Sequence, residues 1–341
     1  MSVERSIIRA GLVVAVAAAL TVWVVVRPAR AGAPIPPERR IPAGVARTLS
    51  APADAPMHMP TDVAVDAAGR VFVADGANDR VVVFRADGAL DRAISRVGEW
   101  PLNHPVGLAI DSAGRLWIAD TGHHRVLIAA PDGALAERID LPAAEGGKPF
   151  DVTDVAVTAD RKRAYLIDNE NHRLAIRDNA AGTLTFLGAF GEGLGQFRWP
   201  FTAAIAPDGY VYVCEAIGAR VQRLSPADRW AGQVGRWGVE LGLLYRPKGV
   251  LVDGQGRLYV SDSTLNVIQV FNARGGVEGV LTDPAGKPLR FAHPMGMDFD
   301  AAGGLYVVEL KADRVAVVTL PSGFAPATRP ASAGTREEPA R

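Results

Sequence analysis

A single acidic residue that returns at a near-constant distance constrains this chain more than any other feature. Asp75, Asp120, Asp168, Glu215, Asp262 and Glu309 are separated by 45, 48, 47, 47 and 47 residues. Three residues before each acid stands an aromatic: Phe72, Trp117, Tyr165, Tyr212, Tyr259 and Tyr306. Five residues after it stand Arg80, Arg125, Arg173, Arg220 and Arg314, and Val267 alone breaks the series. Upstream a proline recurs as Pro60, Pro105, Pro200, Pro247 and Pro294, with Val152 in its place in the third copy. A chain that repeats at so many fixed offsets is one structural unit used six times.

Each unit reads as short strands with tight turns between them. In the second copy, PVGLAID, RLWIAD, HRVLIAA and ALAERID alternate apolar, β-branched and aromatic residues, and the pairs Ala-Gly and Asp-Gly punctuate them. A period of 40 to 50 residues with four strands per unit predicts a β-propeller, here all-β with six blades. No long segment between the strands carries helical apolar spacing, which disfavours an alternating strand–helix fold. The last copy stops after its third strand, RVAVVTL, while a spare strand-like piece, GVARTLS (44–50), precedes the first. Pairing residues 44–50 with 314–320 would close the ring and remove an exposed sheet edge.

The ends of the chain read differently. Residues 10–26 carry no charge, with Arg5 and Arg9 before them and Arg27 and Arg30 after. That length lies between the core of a signal peptide and a full membrane span. Ala29-Arg30-Ala31 fits a cleavage site, whereas the bulky run Trp23 to Val26 fits an uncleaved anchor. Residues 1–31 are therefore expected to be a signal peptide or membrane anchor, forming one hydrophobic helix ahead of the propeller. The expected localisation is extracytoplasmic, in the periplasm or at the cell surface, with residues 10–26 as the membrane contact if they are retained. Residues 32–43 read as a Pro-rich linker, 44–320 as the propeller and 321–341 as a disordered tail poor in large apolar side chains.

Composition narrows the function. Lys plus Arg and Asp plus Glu each number 37, and this zero balance disfavours a nucleic-acid partner. The single cysteine, Cys214, excludes an intrachain disulfide and a Cys-rich zinc site, and its place on a second strand reads as buried.

PTDVAVDAAGRVFVADGANDRVVVF (60–84) resembles an NHL repeat, as does DNENHRL (168–174). GEGLGQFRWP (191–200) is similar to the family's glycine-rich approach to a blade. The resemblance spans residues 44–320 and implies the six-bladed fold. It implies little about activity, because propellers host many.

The acid ends the second strand of each blade and the arginine begins the third, so the two are expected to share two hydrogen bonds across the loop. This reads as a structural brace, and Val267 makes Asp262 the odd member. Function is then expected where copies differ. The first strands line the axis in such folds, and the residues after the proline register are Thr61, Val106, Thr153, Phe201, Lys248 and Met295, followed by Asp62, Gly107, Asp154, Thr202, Gly249 and Gly296. Thr61, Asp62, Thr153, Asp154, Lys248 and the unusual Asp298 are the candidate ligand-binding residues of a polar funnel mouth.

Peptidyl-amidoglycolate lyases are the enzymatic propellers to test against. That family implies zinc-binding histidines after a blade's proline and a tyrosine two residues after one acid. Neither position matches here. His58, His104 and His293, which precede their prolines, are the remaining candidate metal ligands, for zinc or calcium. No cofactor and no catalytic set are assigned. No nucleophile elbow, phosphate loop or metalloprotease motif is present, and the glycines of 191–197 link blades rather than opening a helix. The expected function is an exported scaffold that binds a protein or small-molecule ligand. The alternative is a metal-dependent lyase or hydrolase with its site in the central funnel.

Overall fold

The computed structural model describes residues 34–324 apart from Gly147. Residues 10–26, expected to form a hydrophobic helix, lie outside the described residues, and among the latter no helix is long and apolar enough to cross a membrane.

Among the described residues six sheets, each with four antiparallel strands, are arranged as the blades of a β-propeller, and a seventh has only the two short strands Arg96–Val97 and Trp100–Pro101. Blade 1 comprises Asp62–Val65, Val71–Asp75, Arg80–Phe84 and Leu90–Ile94. Blade 2 begins at Pro105–Ile110, blade 3 at Val152–Val157, blade 4 at Pro200–Ile205, blade 5 at Pro247–Val252 and blade 6 at Pro294–Phe299. Each of these first strands packs against the first strands of the two neighbouring blades, so together they ring the axis. The second strands, such as Leu116–Asp120 and Leu258–Asp262, are buried along their whole length. That is why they read as unbroken apolar runs ending in an acid rather than as half-polar alternation.

The repeated aromatics fill the space between blades. Trp117, Tyr165, Tyr212, Tyr259 and Tyr306 are no more than 2% exposed. Buried aromatics with a polar tip need a partner for it. Trp117 Nε1 donates to Asp111 at 3.1 Å, and the Tyr306 hydroxyl donates to Asp300 at 3.2 Å. Asp111 also belongs to a second brace, apart from the acid–arginine pairs of the repeat. In the first hairpin of blades 1, 2 and 5, Asp66, Asp111 and Asp253 accept the Nε–H of Arg70, Arg115 and Arg257 at 2.6–2.7 Å.

Ring closure occurs as expected. Gly44–Leu49 runs antiparallel to Arg314–Thr319, from Gly44 opposite Thr319 to Leu49 opposite Val315. The propeller also extends past both expected ends. Within the stretch read as a linker, Arg40–Pro42 adds a fifth strand to blade 5, parallel to Val280–Thr282. The physical reason is Ile41, which is 2% exposed and joins a core with Ile268, Val270 and Leu281. Pro42 is tolerated there because the strand lies at a sheet edge. Within the stretch read as a tail, residues 321–324 turn back onto blade 5. Phe324 lies under the Arg257 guanidinium at 4.5 Å, and its carbonyl accepts the Tyr259 hydroxyl at 2.7 Å. Residues 325–341 lie outside the described residues.

Candidate functional site at the funnel mouth

The acid–arginine braces form in all five blades that carry both partners, but not with the expected pair of shared bonds. Only Nε donates to the acid, at 2.6–2.7 Å, from Arg80, Arg125, Arg173, Arg220 and Arg314. In blades 1, 2 and 4 the terminal nitrogens turn instead to the loop leading into the blade. Arg80 donates to the Ala55 and Pro56 carbonyls, and Arg125 to that of Pro101. A backbone N–H from that same loop donates to every acid. The six donors, His58, Asn103, Asp151, Arg198, Tyr245 and Ala292, each precede their acid by 17 residues. The brace therefore fixes the lead-in loop above its blade. Asp262, which lacks an arginine, takes the N–H groups of Tyr245, Arg246, Thr264 and Leu265 instead.

Around the axis the structure assigns most candidate residues a partner in the next blade. The Thr61 hydroxyl donates to the Val106 carbonyl at 2.7 Å and that of Thr153 to Phe201 at 2.9 Å. Asp62 accepts the Leu108 N–H at 2.8 Å, Asp154 that of Ala203 at 2.7 Å, and Asp298 that of Val65 at 2.8 Å. Two glycines make room for these carboxyl groups. A Cβ at Gly296 would strike Asp62 Oδ1, and one at Gly107 would lie 2.9 Å from Asp154 Oδ1. Thr202 and Ser261 continue the ring, donating to the Lys248 and Met295 carbonyls at 2.9 and 2.7 Å.

The aspartates are 8% and 5% exposed at Asp62 and Asp154, and no cation is among the causes that set their titration. Burial pushes Asp154 up to about 7. Burial, and then the charges of Asp154 and Asp298, holds Asp62 well above the usual carboxylate range. Like charges in a low-dielectric site resist joint ionisation, so the two titrate together.

Lys248 differs from these residues. Its ammonium lies 3.8 Å from the centre of the Phe201 ring and makes no hydrogen bond or ion pair with any described residue. Burial, with Arg246 nearby, holds its pKa below the usual lysine range. Phe201, a neighbour the sequence placed in the same ring without a role, supplies a π-face in place of a counter-ion.

His58, His104 and His293 do not come together. Each stands on the lead-in loop of its own blade, where the His104 and His293 N–H groups donate to Asp79 and Asn266. Among the described residues no three His, Cys, Asp or Glu side chains form a group able to hold a metal ion. His293 has a different setting: with Lys311, Ser263, Thr264, Asn266 and Ala292 it lines a shallow pocket of about 250 Å³. Cys214 is fully buried, and burial raises its thiol pKa.

One more feature of this face escaped the repeat analysis. The loops entering blades 4 and 5 are structural twins, with Gly191 and Gly195 matched by Gly238 and Gly242 at near-equal positive φ. They hold Phe190 (59% exposed) and Trp237 (67% exposed) outward at equivalent positions. Phe190 and Trp199 pack on His172, at 5.0 and 4.7 Å between ring centres. The signal was in the sequence, as an aromatic just before each Gly-x-x-x-Gly, but nothing in the spacing told exposure from burial.

The NHL repeat profile matches residues 57–84 and 102–128, which carry the first three strands of blades 1 and 2 and the residues just before them. No curated protein matches this chain. Among solved structures, a virginiamycin B lyase from Staphylococcus aureus is similar at a TM-score of 0.59 and 13% identity, covering 82% of this chain and 100% of that one. A gluconolactonase from Xanthomonas campestris is similar at 0.59 and 18% identity, covering 86% and 99%. A nidogen–laminin complex is similar at 0.53 and 16% identity, covering 70% and 84%. At these identities the likeness is one of fold.

Proposed function

For a chain that carries NHL repeats in a six-bladed β-propeller, we propose a non-catalytic binding role, with the ligand's anionic group received at the funnel mouth by Lys248. The observation that carries this reading is the Lys248 ammonium itself, half-buried over Phe201 and without a counter-ion. A cation kept from both bulk water and a carboxylate gains most from an incoming anion. The neighbouring Thr61, Thr153, Asp62, Asp154 and Asp298 make bonds to the adjacent blade, so their part is to hold the mouth open and in register. Export rests on the uncharged run of residues 10–26 and is tested by fractionating cells and weighing the mature chain.

The test is a calorimetric titration of the full-length protein with small organic carboxylates, sugar acids among them, against Lys248→Met. Binding that weakens about tenfold or more in the variant supports the reading; equal binding by the two proteins refutes it. The similarity to a gluconolactonase and a lyase favours a second reading, a metal-dependent hydrolase or lyase. Turnover of a lactone by the same preparation on adding zinc or calcium would replace the scaffold with that enzyme.

A further inference from the structure

The pocket at His293 lies where blade 5 meets blade 6, and the matching junction between blades 1 and 2 is filled. At both, a histidine just before the proline donates its backbone N–H to the fourth residue after the preceding blade's acid. His104 donates to Asp79 at 2.7 Å and His293 to Asn266 at 3.1 Å. Met59 makes the same bond to Asp313, at 2.8 Å, between blades 6 and 1. Between blades 1 and 2, Asn103 packs onto Gly122, where a Cβ would lie 2.6 Å from Asn103 Cγ. The residues at these two positions between blades 5 and 6 are Ala292 and Lys311. Ala292 leaves open the space that Asn103 takes up, and a pocket of about 250 Å³ forms, lined by Ala292 and Lys311 with Ser263, Thr264, Asn266 and His293.

The same exchanges alter the charge. Asn266 stands where blade 1 has the carboxylate of Asp79, and Lys311 stands where blade 2 has Gly122. Each makes the junction more positive. Two residues after the acid the six blades carry Ala77, Gly122, Glu170, Ile217, Thr264 and Lys311, so only this junction has a cation there. The Lys311 ammonium and the His293 ring have no hydrogen-bond or ion-pair partner among the described residues. The Thr264 hydroxyl and the Asn266 amide N–H are likewise free, while Asn266 Oδ1 is taken by the His293 N–H. The nearby acids are already engaged. Asp262, which has no arginine, accepts four backbone N–H groups, and Glu309 accepts the Ala292 N–H and the Arg314 Nε–H. An ammonium, a hydroxyl, an amide and an imidazole, all able to donate and none engaged with an acid, suit an anion.

We infer that the junction of blades 5 and 6 is a second anion site, which takes the carboxylate or phosphate group of a small solute. Lys311 supplies the charge, and Thr264 and Asn266 supply hydrogen bonds. The site needs nothing from Lys248, whose ammonium lies over Phe201 and does not line the pocket.

The experiment is an NMR titration of the full-length protein, labelled with carbon-13 in its histidines, with acetate and with inorganic phosphate. The His293 ring signal is assigned by His293→Gln. Lys311→Met removes the charge at an exposed position, and Asn266→Asp restores the acid of Asp79 while keeping an acceptor for the His293 N–H. Should Asn266→Asp lower the Tm, Ala292→Asn, which refills the pocket as Asn103 does, takes its place. The expected result is a saturable shift of the His293 signal with at least one of the two anions, and the one that saturates identifies the group. Binding should weaken about tenfold or more in each pocket variant and persist in Lys248→Met. No saturable shift with either anion, or a pocket variant that binds as tightly as the parent, would overturn the site. So would a response lost in Lys248→Met, which would return the anion to the funnel mouth.

Discussion

Blades 2 and 5 share one backbone plan and differ in almost every choice made on it. In each, the second strand pairs with the first through the same slip, Pro105 opposite Asp120 and Pro247 opposite Asp262. Blade 2 keeps the full brace. Arg125 and His123 meet Asp120 at 2.7 and 3.0 Å, and the Arg125 guanidinium lies 5.2 Å from the Trp100 ring centre. Blade 5 has no arginine, satisfies its acid with backbone N–H groups and carries a fifth strand. It also presents Lys248 and Trp237 on the mouth face. The comparison teaches that the buried acid and its backbone bonds define the blade, whereas the arginine is one way of finishing it. Where the arginine is dropped, the loop is free for another use.

The largest effect should come from removing residues 35–50. This strips the fifth strand from blade 5 and the closing strand from blade 6, and with them the buried side chains of Ile41 and Leu49, each 2% exposed in the intact fold. Two such side chains stabilise by about 1.5–3 kcal/mol each, before any backbone bonds are counted. Thermal unfolding followed by circular dichroism should show a collapse in stability, and an unchanged Tm would contradict closure. Next comes Arg125→Met, which leaves the 0%-exposed Asp120 with only a histidine as cationic partner. Breaking a buried pair costs about 3 kcal/mol. A loss below ~1 kcal/mol would place blade 2 on the same footing as blade 5.

Asp154→Asn tests the axis itself. Asp154 titrates near 7 in the fold against an ordinary value of 3.8, so the folded state holds a proton that the unfolded chain has lost. Its contribution to stability is therefore full below about pH 4 and disappears as pH rises through 7. The limit set by the shift is about 4 kcal/mol, shared with Asp62. Urea unfolding should show parental stability falling between pH 4 and 7, and the variant should show a flatter profile. Parallel profiles would mean that Asp154 is ionised as in water. The smallest effect is expected of Trp237→Ser, at 67% exposure. Stability should change by no more than about 0.5 kcal/mol, and a larger loss would make that loop part of the core.

The framework was legible because each blade repeats the same chemistry at the same place. Six acids, six aromatics and five arginines announce the ring, and the spare strand at 44–50 announces its closure. What one blade does to the next was not legible. The list of residues after the prolines put Asp62, Asp154 and Lys248 on one rim as equals. Only the ring shows that Asp62 and Asp154 meet N–H groups across a blade boundary and that Lys248 meets a phenyl ring. Phe201 and Lys248 are adjacent because blades 4 and 5 are, a contact that spacing within one repeat cannot disclose. The places of residues 40–42 and 321–324 were not legible for a simpler reason. Pro-rich and Ala-rich stretches look unstructured until one side chain, Ile41 or Phe324, finds a groove.

The central claim is that Lys248 waits uncompensated for an anion, and its own titration tests this most directly. Reductive methylation with a carbon-13 label gives each lysine an NMR signal, and Lys248→Arg identifies the one that matters. The account predicts that this lysine titrates below the usual range in the free protein and rises when a binding carboxylate is added. A lysine that titrates like its exposed neighbours, and does not move with the carboxylate, would contradict it.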